Sequence, residues 1–141
     1  MNMESKEIKL KQGIDNIEFG NSINKVVELW GKPSTAENIG EEIGESTTML
    51  HYDEKDLTLF FEGEESEVLI CIDINNPNTL LFGEEIIDKS SKFIIDLMAK
   101  NNIEDKEVED EEWGERRVSF HEANIDFYFI DNELVSITYG K

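Results

Sequence analysis

His51 and Asp53 stand two residues apart, and on an extended strand that spacing turns both side chains to one face. An imidazole there could take a proton while the carboxylate orients the ring. This pair makes a small hydrolase or isomerase one reading of the chain. The surrounding residues argue against it. No serine or cysteine stands at a nucleophile motif, and no glycine-flanked elbow exists to present one. His51 and the second histidine, His121, both fall in predicted strands, where a surface or edge position is the ordinary one. The single cysteine, Cys71, lies inside the apolar run Val68-Leu69-Ile70-Cys71-Ile72. That setting suits a small buried hydrophobe better than a reactive thiol. A lone cysteine excludes an intrachain disulfide and favours the cytoplasm. The expectation is a chain without enzymatic activity.

Metal and cofactor motifs are missing too. A calcium loop alternates oxygen ligands around a glycine at its sixth position. The run Asp105-Lys106-Glu107-Val108-Glu109-Asp110 has an aspartate there. Zinc needs clustered cysteine and histidine, and the chain has no glycine-rich phosphate loop. No metal and no cofactor are expected.

What the chain has in excess is carboxylate. Its 141 residues include 33 Asp and Glu against 13 Lys and Arg, a formal net charge of −20. Such a charge repels polyphosphate, so nucleic acid is not an expected partner; it steers the chain towards a basic one instead. The acids cluster. Glu104, Asp105, Glu107, Glu109, Asp110, Glu111, Glu112 and Glu115 crowd together around Trp113. Glu62, Glu64, Glu65 and Glu67 mark a second acidic tip, and Glu37, Glu41, Glu42 and Glu45 a third. The ordinary reading is a solvated loop, with Trp113 folded back on the core and Arg116 and Arg117 paired locally with Glu112 or Glu115. The sharper reading is a docking edge for a basic protein. Its carboxylates attract the partner and Trp113 anchors in a pocket. The predicted contact residues are Glu107, Glu109, Asp110, Glu111, Glu112 and Trp113, together with Glu62, Glu64 and Glu65.

These residues need elements to hold them. The length suits one compact domain, or two small units sharing a core. No run approaches the ~18 apolar residues of a membrane span, and the opening Met1-Asn2-Met3-Glu4-Ser5-Lys6-Glu7 lacks the apolar stretch of a secretory signal. No membrane contact is expected. Self-similarity organises the rest. When Ser22 is laid on Ser90, Ile23–Lys32 meets Ser91–Lys100, and Leu57, Leu59, Phe60 and Phe61 meet Ile125, Phe127, Tyr128 and Phe129. Ile23, Val26, Val27 and Trp30 form one helical stripe, ended by Gly31 and Pro33. Phe93, Ile94, Leu97 and Met98 form the other. Strands are predicted at Thr47–Tyr52, Leu57–Glu62 and Glu67–Asp73, and again at Arg116–His121, Ile125–Ile130 and Glu133–Tyr139. The expected fold is therefore α+β: two tandem copies of a helix followed by a three-stranded antiparallel meander, with the helices on one side of the sheet. Residues 1–13 form an N-terminal segment, an edge strand or a frayed tail; 14–78 form the first repeat and 79–141 the second. Asn75-Asn76-Pro77-Asn78 is the joint.

The segment Ile17-Glu18-Phe19-Gly20-Asn21-Ser22, followed by Val26-Val27-Glu28-Leu29-Trp30-Gly31-Lys32-Pro33, resembles the opening of two related groups. These are the beta-lactamase inhibitory proteins and the small outer-membrane assembly lipoproteins. The resemblance covers about 17 residues of the first repeat. It implies a fold used to grip proteins rather than to catalyse. The chain departs from the lipoproteins in having no lipidated cysteine near its start, and from secreted inhibitors in having no paired cysteines. Together these features lead to a non-catalytic protein-binding module, most concretely an immunity-type inhibitor of a basic toxin or nuclease. The alternatives are a self-associating scaffold subunit that uses its sheet edges, and the His51 and Asp53 enzyme.

Overall fold

A computed structural model describes residues 6–39, 46–63 and 66–141. The strands among them are β1 (Lys6–Lys9), β2 (Gly13–Ile14), β3 (Ile17–Glu18), β4 (Thr35–Ile39), β5 (Ser46–Tyr52), β6 (Leu57–Gly63), β7 (Val68–Ile74), β8 (Thr79–Leu81), β9 (Glu84–Glu85), β10 (Glu107–Asp110), β11 (Glu115–Phe120), β12 (Ile125–Ile130) and β13 (Glu133–Gly140). The helices are α1 (Ile23–Trp30) and α2 (Ser91–Lys100).

Local chemistry explains most of these elements. Ser22 caps α1 by accepting from the Lys25 amide at 3.1 Å, and Ser90 caps α2 by accepting from the Phe93 amide at 3.1 Å. Each satisfies one of the orphan donors of a helix start. α1 stops at Gly31, whose φ of 85° few other residues adopt cheaply. Alternating Leu57/Leu59/Phe61 and Ile125/Phe127/Phe129 are all buried, as the period of a half-covered strand requires. Asp131 and Asn132 both take positive φ and close the β12–β13 hairpin tightly.

The architecture differs from the expected one. Two tandem copies of a helix plus three strands do not form. The described chain is mostly β, with thirteen strands in a five-stranded and an eight-stranded sheet and two short helices. The larger sheet runs β10-β11-β12-β13-β7-β6-β5-β4, two four-stranded meanders joined where β13 meets β7. The smaller runs β3-β2-β1-β8-β9, with β1 parallel to β8. Two physical reasons account for the difference. The added outer strands β4 and β10 are exposed at every position, so they carry no apolar alternation to betray them. The small sheet is built from strands of two to four residues paired across some 70 positions of chain, a non-local choice without periodicity. β1 is also the central strand of that sheet rather than an edge or a tail. The coarser α+β content stands.

One core joins everything. The inward face of the large sheet contributes Leu59, Phe61, Ile72, Phe127, Phe129 and Ile137. The helices add Val26, Ile94, Leu97 and Met98, and the small sheet adds Ile8, Ile14, Ile17 and Leu81. A buried clasp locks the two sheets together: the Tyr139 hydroxyl donates to the Gly13 carbonyl at 2.8 Å. A side chain at Gly13 would collide with the Ile17 carbonyl at 2.0 Å. No helix among the described residues is long and apolar enough to cross a membrane.

Candidate functional site

The core occupies one face of the large sheet, and the second face mixes polar residues with the half-buried Met49, Phe60, Cys71 and Tyr128. Cross-strand partners share a face, and the register lines up one row across all eight strands: Glu107, Ser119, Asp126, Thr138, Asp73, Thr58, His51 and Thr35. Near the middle lies a groove of about 540 Å³ lined by Asp53, Asp56, Leu57, Thr58, Asp73, Asn75 and Ser136. Partial burial raises the Asp73 carboxyl above its ordinary range, and a bond from the Thr138 hydroxyl at 3.3 Å opposes that shift. Among the described residues no three Asp, Glu, His or Cys side chains are placed to hold a metal ion.

The groove brings Asp53 near the row that contains His51, but it does not join the two. Asp53 lies beyond β5, in a short 3₁₀ turn. Both nitrogens of His51 are engaged elsewhere, Nδ1 at 2.9 Å from Thr58 Oγ1 and Nε2 at 2.9 Å from Glu37 Oε1. The imidazole is thus a strut between three strands rather than a base oriented by Asp53. Cys71 is half-buried rather than fully buried. Burial, and then Asp73, push its thiol up to about 11, so it is held as an unreactive thiol at neutral pH.

The predicted acidic residues distribute unevenly. Glu107, Glu109 and Asp110 form β10, an edge of the large sheet. Each has a local partner: His121 Nε2 at 2.9 Å from Glu107, Arg117 Nη2 at 2.5 Å from Glu109, and Arg116 Nε at 2.6 Å from Asp110. The arginines therefore pair with the strand, not with Glu112 or Glu115. Arg116 also donates to Ser91 Oγ at 3.0 Å, which ties this edge to the first turn of α2. Glu111 and Glu112 lie in the β10–β11 turn and make no ion pair among the described residues. Trp113, at the same tip, is 66% exposed. It is not folded back on the core. Glu62, on β6, is exposed and far along the sheet from β10. Glu64 and Glu65 lie outside the described residues, as do Glu41, Glu42 and Glu45.

Sequence reasoning missed the edge strand itself and the pairing of the histidines. Glu37 and His51 stand as far apart in sequence as Glu107 and His121, and each pair ties an outer strand inward, to β5 in one half and to the turn just after β11 in the other. That equal spacing was visible in the sequence, but it gains meaning only once β4 and β10 are strands.

No protein-family profile matches the chain. No curated protein matches it either. A solved structure does: the 1.5 Å crystal structure of an extracellular protein containing a SCP domain from Bacillus anthracis str. Ames. The match has a TM-score of 0.50 and 16% identity, and covers 95% of this chain and 50% of that one. The chain thus spans about half the length of that protein. At this identity the likeness concerns the fold alone.

Proposed function

We propose that this chain is a non-catalytic module that binds a basic protein through its β10–β11 hairpin, most concretely as an immunity-type inhibitor of a basic toxin or nuclease in the cytoplasm. The observation that carries the reading is Trp113. A tryptophan is costly to leave in water, yet this one stands 66% exposed at a hairpin tip, directly after Glu111 and Glu112. An aromatic anchor within a rim of charge is the composition of an interface hot spot. The net charge of −20 supplies the steering. The likeness of the Ile17–Pro33 segment to inhibitory proteins supports the same use, and the engagement of both His51 nitrogens weighs against the enzyme reading.

The test is paired affinity capture with the native chain and Trp113→Ala as baits, at low and at high salt, with mass identification of what each retains. The expected result is one basic protein held by the native chain, released by salt, and bound about 30-fold more weakly by the variant, the loss of a hot spot worth about 2 kcal/mol. Equal retention by both baits overturns the role of Trp113. Retention indifferent to salt overturns the electrostatic steering.

A further inference from the structure

We propose that β10 is a docking edge for an extended basic segment of the partner, which adds to the large sheet as a further antiparallel or parallel strand. This rests on the protein-binding reading above and names the form the partner takes. Among the described residues β10 pairs with β11 alone, so its other side is an open edge. The phase of that edge can be read directly. The Glu111 amide donates to the Glu115 carbonyl at 2.7 Å, in the same register that pairs Glu109 with Arg117 and Glu107 with Ser119. Backbone direction alternates along a strand. Glu107, Glu109 and Glu111 therefore turn their amides and carbonyls towards β11, while Val108 and Asp110 turn theirs outward. Unpaired outward groups of this kind are the template for strand addition.

Charge selects the occupant. Glu107, Glu109 and Glu111 share the second face of the sheet, and Asp110 lies on the other. Arg116, Arg117 and His121 hold three of these carboxylates in place. A carboxylate has lone pairs beyond those used by one partner, so it can accept again from an incoming cation. Lys or Arg at alternate positions of an added strand would sit beside Glu107 and Glu109. A second copy of this chain would instead set Glu and Asp against Glu and Asp, which cross-strand pairing disfavours. The opposite edge, β4, carries only Glu37 as a carboxylate. Trp113 sits three residues beyond β10, where it can cover the end of the added strand.

The experiment uses a short capped peptide of alternating lysine and threonine, and the same peptide N-methylated on every backbone amide, so that neither edge keeps a donor. The methyl groups remove backbone donors without changing charge. The partner variant is Val108→Pro, which deletes an outward amide and none that faces β11; proline is tolerated at such edge positions. The expected result is binding of the unmethylated peptide to the native chain, at least about tenfold weaker for the methylated peptide and for Val108→Pro. Val108 and Asp110 amides should gain hydrogen-exchange protection in the complex. If the two peptides bind the native chain equally well, strand addition is overturned while docking by charge survives. If neither peptide binds at low salt, strand addition is likewise overturned. The methylated peptide keeps the test decisive even if the proline variant melts early. The protein-binding reading fails separately, if the native bait of the paired capture retains no protein even at low salt.

Discussion

The two halves of the large sheet use their tryptophans in opposite ways. Trp30 ends α1 and is held on three sides. Its Nε1 donates to Asn16 Oδ1 at 2.8 Å, Tyr52 meets it edge-on at 5.4 Å, and Lys55 Nζ lies 4.9 Å from the ring centre. Trp113, at the tip of the β10–β11 turn, has no ring or hydrogen-bond contact among the described residues. The outer strands differ in the same sense. Each is tied inward by a glutamate–histidine contact of 2.9 Å, but only β10 adds two arginine bridges. The first half spends its aromatic and its charges on holding itself together. The second fixes its edge with ion pairs made to one side and leaves a large apolar ring outward. An exposed anchor at the tip of a braced hairpin loses little conformational freedom on binding, which is what a docking site needs.

The largest expected effect that would break this contrast is on stability. Trp30→Ala should destabilise the fold by about 2–3 kcal/mol, less than the 3–5 of a fully buried aromatic because the ring is only half-covered. Trp113→Ala should leave stability within about 0.5 kcal/mol. Chemical denaturation of both variants reads this directly; equal losses would mean that Trp113 is structural and the contrast false.

The helix caps come next, and here the halves should agree. Ser22→Ala and Ser90→Ala each remove one cap and should each cost about 1 kcal/mol. A much larger loss for one of them, measured by the same denaturation, would mean that its half depends more heavily on its helix.

The smallest effect lies at the seam between β7 and β13, where Asp73 faces Thr138. Burial raises the Asp73 carboxyl above its ordinary 3.8, so ionising it costs more in the folded chain than in the unfolded one. Below 3.8 the group is protonated in both states and the penalty is absent; it develops as pH rises through the raised value and is complete above it. Asp73→Asn should therefore melt slightly higher than the native chain at neutral pH, with the advantage fading as pH falls through that window. Thermal melts across pH check it, and a variant that melts lower at neutral pH would mean that the carboxylate is stabilised where it stands.

Some of this was legible in the residues. The serine caps, the two helical stripes, and the alternation of Leu57/Leu59/Phe61 and Ile125/Phe127/Phe129 each have a local physical cause, and those elements form within a residue or two of where the pattern puts them. The acidic cluster and its tryptophan were equally plain. What the pattern could not show is that Glu107–Asp110 is a strand, since a strand exposed at every position has no buried side to impose a period.

Sequence by itself determined which segments bury a face, where the helices start and stop, and that the molecule carries a charge of −20. Those properties depend on side-chain type and on neighbours a few residues away. Only the tertiary structure decided that β1 lies parallel to β8, that β13 meets β7 at the centre of an eight-stranded sheet, and that Trp113 points to water while Trp30 does not. Each of those depends on backbone groups pairing across long stretches of chain. Every residue but proline carries the same amide and carbonyl whatever its side chain, so the pairing leaves almost no local mark.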